Sequence, residues 1–343
     1  KSQYQRTAGS ANATQIATAK AYVNGLNITV NADGTLNGKG IYDIYKLDTL
    51  LKISNYVSYL SRAYIKNNDA DALSKLNSFV AYVLDQGLAE GGRLVMPYND
   101  YSSARNFPIG FLEALPLLPN AIVKDAVIKM LKWSHEFNNI YNANPTPGLE
   151  LDYMYLKSNL LLELALTDTD NDIIARDLKS FSRYLEQYTY TSEGERDGIK
   201  IDGTGFHHQS AYINYLYSYT SWISRAYELK ATPFKVSSTA YNNMKMALTA
   251  LFLQTSKGTL IPHTASGSAP FTTAVPVNAA TLEKFIEVGG DLLGQSYDSD
   301  MAQFYNYIYQ TNKYPVAAKS WDGYHQLNYA QTGIYRKDNW IAV

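Results

Sequence analysis

Apolar side chains recur at helical spacing through most of this chain. Ile53, Val57, Leu60 and Tyr64 follow i, i+4, i+7 and i+11, which stacks them on one face of a helix. Similar amphipathic segments recur near 11–25, 70–87, 109–118, 122–139, 150–166, 171–188, 209–229, 237–254, 279–293 and 298–311. Asn67-Asn68-Asp69 and Thr167-Asp168-Thr169-Asp170 read as stops and N-caps. Asn144-Pro145-Thr146-Pro147-Gly148 and Ala231-Thr232-Pro233 read as breakers. Without a short repeat, about ten helices joined by short loops suit an array of antiparallel hairpins rather than a simple bundle. A curving array makes a concave face, and a concave face can hold a polymer.

Strand signals are thin in the body. Asn27–Val30 with Ala32-Asp33-Gly34 suits a short hairpin, and 258–275 is too rich in Thr, Ser, Pro and Gly for a helix. Residues 333–343 change character and read as a hairpin of two short strands. A strand needs a partner sheet, so this end is expected to open a β domain.

Composition narrows the function. The 343 residues carry a formal net charge of −1 and no dense basic run, which argues against a nucleic-acid partner. No apolar stretch approaches the roughly 18–20 residues that span a bilayer, so no membrane partner is expected. The chain has no cysteine, hence no disulfide or thiolate metal site, and this fits an extracytoplasmic (periplasmic or secreted) bacterial-type protein. It does not open on a signal peptide, so secretion implies a processed start. There are 30 tyrosines but only 11 phenylalanines. Polar-tipped rings suit a surface that stacks on sugars, and they equally suit a loosely polar helical core.

Five stretches could carry chemistry. In Asp202-Gly203-Thr204-Gly205-Phe206-His207-His208, a glycine-broken turn leads into two adjacent histidines, placed by the periodicity at the start of a helix with Tyr212 and Tyr215. His208 and Tyr215 are seven residues apart, two helical turns, so imidazole and phenol would share one face and a proton. The competing reading makes His207 a cap and the tyrosines packing. In the polar loop 97–106, Arg105 could clamp a carboxylate and Asn99 or Asn106 could hydrogen-bond one, unless the loop merely uses its Asn and Ser for turns. Glu150 and Asp152 open a helix, where dipole complementarity alone accounts for acids, while Tyr155 is open to either use. His263 lies in an irregular loop, a frequent home of function but also of incidental histidines. His135, beside Trp133, reads as a packing histidine. HExxH, Walker, G-x-S-x-G and GxGxxG motifs are absent, and no two acids stand out as a glycosidase pair.

Residues 197–208, with Tyr212 and Tyr215, resemble the catalytic segment of the chondroitin sulfate ABC lyases, within the chondroitin, hyaluronan and xanthan lyase group of polysaccharide lyase family 8. Asp100-Tyr101-Ser102-Ser103-Ala104-Arg105 is similar to that family's Tyr-Ser-Ser-Arg loop, and 133–137, 151–164 and 232–234 have counterparts. Gly333-Ile334-Tyr335-Arg336 resembles the first strand of the family's β-sandwich. The resemblance implies an all-α catalytic domain, an incomplete (α/α) toroid of helical hairpins over 1–325, followed over 326–343 by the start of a truncated β-sandwich. It implies β-elimination on an acidic polysaccharide containing uronic acid. By position Tyr215 would be base and acid and His208 its partner. Tyr98, Asn99, Arg105, Asn106, Tyr155, His207, Tyr212 and His263 would bind substrate. No cofactor is implied, though a divalent cation such as calcium is compatible with it. The chain also departs from the pattern. Pro97 and Tyr98 stand where a His-His pair is usual, Tyr155 stands for a histidine, His207 for an arginine, and Ser268 lies near the place of another arginine. These changes weigh against iduronate chemistry and dermatan cleavage. The acidic residue that the family draws from its β-sandwich is not in this chain. Two other readings stand beside this one: a non-catalytic glycan-binding relative, and a glycosidase on a helical toroid.

Overall fold

The computed structural model describes residues 9–41, 49–92, 106–148, 151–211, 216–255, 278–338 and 340–343. It is mostly helical, and its contacts divide it into two compact units, one formed by 1–139 with 163–170 and the other by 140–162 with 171–343.

The first unit holds α1 (Ala13–Gly25), α2 (Thr49–Asn67), α3 (Ala70–Asp85), α4 (Phe107–Ala114) and α5 (Ala121–Ser134). The start of α3 follows the predicted punctuation at 67–69. Asp69 caps α3 through the Ala72 amide, and Asn12 and Gln15 form a capping box on α1. α2 packs on α1, α3 and α4, and its stripe is buried at Ile53, Val57 and Leu60. Gly110 lets α4 close on α2: a Cβ there would meet the Ser54 carbonyl at 2.0 Å. The crossing is sealed by Glu113, whose carboxylate accepts from Ser58 Oγ at 2.8 Å and from Arg62 in a bidentate pair. β1 (Thr29–Val30) and β2 (Leu36–Asn37) form the expected short hairpin.

The second unit holds most of α6 (Leu151–Ala165), then α7 (Asn171–Tyr188), α8 (Leu216–Leu229), α9 (Ser238–Phe252), α10 (Ala279–Leu293) and α11 (Ser299–Tyr309). Phe181, Leu185, Trp222, Met244, Phe285 and Phe304 build its core, with Trp222 Nε1 donating to the Leu185 carbonyl at 2.8 Å. The C-terminal pair, β7 (Thr332–Lys337) with β8 (Trp340–Ala342), is the predicted hairpin. It gains an unforeseen partner, β6 (Gly323–Leu327), in an antiparallel sheet whose inner residues Leu327 and Ile334 pack on Ala250 and Leu253.

The structure corrects the sequence reading of the histidine segment. Three short antiparallel strands, β3 (Gly198–Ile199), β4 (Gly205–His207) and β5 (Ser210–Ala211), occupy the stretch placed at a helix start. His207 ends a strand and His208 sits in a turn, so His207 is not a helix cap, and His208 is not on a helical face with residues two turns on. The reason is backbone geometry. Positive φ at Gly203 turns the chain back, and positive φ at His208 and Gln209 closes a second reversal that no helix can hold.

Candidate active site

The site is built on a close crossing of two glycines. Gly148 and Gly198 have φ of 96° and 107°; a Cβ on Gly148 would meet the Asp197 carbonyl at 2.4 Å, and one on Gly198 the Gly148 Cα at 2.9 Å. This crossing sets Asp197 just ahead of β3. Lys200, wholly buried, ties the same lobe together. Its ammonium donates to Ser192 Oγ at 2.9 Å and to the Arg196 carbonyl, and lies 4.6 Å from the centre of the Phe206 ring. Burial holds its pKa below the ordinary lysine value, partly countered by the nearby Asp197 carboxylate. Asp202 closes the turn, accepting from the Thr204 and Tyr329 amides at 2.9 Å each.

This lobe delivers His207 to a slot between two acids. Nδ1 lies 2.8 Å from Asp197 Oδ2, and Nε2 lies 3.4 Å from Asp152 Oδ2 on α6. Burial alone would lower the imidazole pKa; the interactions with Asp152 and Asp197 outweigh it and raise the value above that of a free histidine. Asp152 stands in the first turn of α6, as predicted for a dipole-complementing acid, and is also buried against the imidazole. His208 follows in a two-residue hairpin turn closed by the His207–Ser210 pair, with φ of 54° at His208 and 63° at Gln209. Positive φ at both turn positions marks the type I′ geometry that suits a tight hairpin. The turn leaves His208 exposed, its ring packed against that of His207 at a tilt of 36° with ring centres 3.7 Å apart. Tyr155, three residues beyond Asp152 on α6, is 39% exposed on the same side of that helix. An accessible imidazole backed by a carboxylate-held one suits proton handling at a bound ligand.

The sequence model of the family described as "Lyase, catalytic" matches residues 3–314. This chain belongs to the lyase catalytic-domain family. Among curated relatives, a chondroitin sulfate ABC endolyase of Proteus vulgaris is 27% identical over 235 residues, 65% of this chain and 23% of that protein. Among solved structures, a mutant chondroitin AC lyase of Streptomyces coelicolor A3 superposes with a TM-score of 0.56 at 11% identity, over 95% of this chain and 48% of that one. A Paenibacillus xanthan lyase gives 0.51 at 12% identity, over 94% of this chain and 33% of that one. The chain thus spans about a quarter of the curated relative's length, and the structural likeness is one of fold.

Within this lyase domain, His207, His208, Asp152, Asp197 and Tyr155 gather in the second unit. Asn106 lies in the first, exposed ahead of α4, where its side chain makes no capping bond. Tyr98, Asn99, Arg105, Tyr212, Tyr215 and His263 lie outside the described residues, as does the irregular 258–275 segment. His135 is buried at the end of α5, as a packing histidine should be. Sequence reasoning gave Asp197 no role. The signal available was the pair of glycines, 148 after two prolines and 198 directly after the acid, which marks a close backbone approach. Among the described residues no cluster of histidine and acid side chains could hold a metal ion, and no helix is long and apolar enough to cross a membrane.

Proposed function

We propose that this chain is the helical catalytic domain, an incomplete (α/α) toroid, of a lyase that cleaves a chondroitin- or hyaluronan-like polysaccharide at its uronic acids. The observation that carries the reading is the presentation of His208, at a solvent-facing turn of the motif that resembles the lyases' catalytic segment. In this reading the uronate carboxylate is neutralised by donors in the site, which acidifies the C5–H bond. Tyr215 takes that proton, the C4–O bond breaks as the C4–C5 double bond forms, and the leaving oxygen receives a proton in return. His208 holds the phenol in its reactive state, while Arg105, Asn99, Asn106, Tyr98, Tyr155, Tyr212 and His263 orient the sugar. The β-sandwich and its acid complete the site in the whole protein. A polymeric substrate does not cross a membrane, which places the reaction outside the cytoplasm.

The test is incubation of the whole protein with chondroitin, hyaluronan and other uronate polymers, watching for the ultraviolet absorbance of an unsaturated uronate. Turnover that Tyr215→Phe abolishes while binding persists supports the lyase. Binding without product supports the non-catalytic relative. Saturated products would support the glycosidase, but Asp152 and Asp197 are engaged by His207, which weighs against their acting as an acid pair across an open groove.

A further inference from the structure

His207 is buried, with a carboxylate at each ring nitrogen. A carboxylate only accepts hydrogen bonds. A neutral imidazole carries one N–H and one lone pair, so one of its two contacts would set a lone pair against an anion. The imidazolium has an N–H for each. The geometry therefore selects the charged ring. Around it stand Asp152 from α6, Asp197 from the turn before β3, and His208 from its own hairpin, with the Lys200 ammonium close enough to act on Asp197.

The same cluster supports a strained turn. His208 and Gln209 are left-handed without being glycine, at a cost of about 1–2 kcal/mol each. Such residues persist where their surroundings hold them. The surroundings here include the His207 ring, 3.7 Å from that of His208. A His207 without its second proton is repelled by one of its two carboxylates, and any rotation that relieves the repulsion moves the surface on which His208 rests.

We propose that His207 acts as a protonated positioning residue that fixes the His208 ring for the reaction, and that loss of the His207 proton closes the active range on its alkaline side. This rests on the reading of His208 as the imidazole beside the base. It separates two histidines that sequence treats alike: His208 meets the ligand, and His207 acts through His208.

The experiment uses the whole protein labelled with 15N-histidine, and a pH profile of kcat and KM on the best glycan. At the pH where kcat is greatest, two-bond 1H–15N spectra are expected to show both His207 nitrogens protonated. A neutral ring there overturns the proposal. Asp152→Asn and Asp197→Asn each replace an anion by a neutral amide and should move the alkaline limb down by about one pH unit. His207→Gln should lower kcat about 10- to 100-fold with little change in KM. His207→Arg supplies a permanent cation and should restore kcat to within about tenfold while removing the alkaline limb. An unmoved limb in both folded Asn variants, or parental kcat in His207→Gln, sinks the idea even if the arginine does not fit. Failure to cleave any uronate polymer ends the lyase reading and the catalytic half of this one; the spectrum still decides whether His207 is the clamped cation.

Discussion

Gly148 and Gly198 meet backbone to backbone at positive φ, and this contact sets the position of Asp197. Gly198→Ala forces a Cβ into the Gly148 Cα at 2.9 Å and strains the backbone, so it should cost about 1–3 kcal/mol in urea unfolding. Gly194, with φ of 59° but nothing near its Cβ position, should tolerate alanine at a smaller cost. His207 makes a second prediction at this scale. The folded state binds its proton more tightly than the unfolded chain does. Its stabilising contribution is therefore complete below the unfolded value of about 6.5 and fades as pH rises through the raised folded value. Unfolding free energy measured across that window should fall with pH in the parent, and the fall should be shallower in His207→Gln.

Elements divide sharply by how far the sequence reveals them. The eleven helices among the described residues repeat their apolar positions over several turns, and polar caps such as Asp69 and Ser237 fix where they begin. The site's sheet was illegible because its strands are two or three residues long, too short for an alternating pattern. Its decisive turn uses His208 and Gln209, not the Asn-Gly that announces a type I′ hairpin. Asp152 does stand in the first turn of its helix, but its contact with His207 was illegible for a related reason: it depends on α6 meeting β4, at a residue 55 positions away. The C-terminal sheet offers an element-scale prediction. Strand β7 alternates buried and exposed, and buried Arg336 donates to the Leu253 and Thr255 carbonyls at 2.7 and 2.8 Å, just past the end of α9. Arg336→Ala leaves both carbonyls without that donor and should cost about 1–3 kcal/mol, with faster amide exchange at the end of α9. Ile334→Ala, in the core that this sheet shares with α9, should cost about 2–5 kcal/mol.

At the scale of the whole molecule, charge sets how an acidic polymer can be held. A net charge of −1 over 343 residues gives this chain no net monopole attraction for a polyanion. In the proposed reading, affinity comes from short-range contacts: hydrogen bonds to the uronate carboxylate and aromatic rings against the sugar faces. Contacts of that kind are screened weakly, because the partners lie well within the roughly 8–10 Å Debye length of ordinary buffers. A protein that binds a polyanion through a broad basic surface behaves differently and loses about 10³–10⁵ in affinity between about 50 and 200 mM salt. For this protein the loss over the same range should stay below about tenfold. The measurement is calorimetric titration of a chondroitin or hyaluronan oligosaccharide into Tyr215→Phe, which separates binding from turnover. A loss approaching a thousandfold would mean that a concentrated cationic surface, rather than a few local donors and stacking rings, holds the polymer.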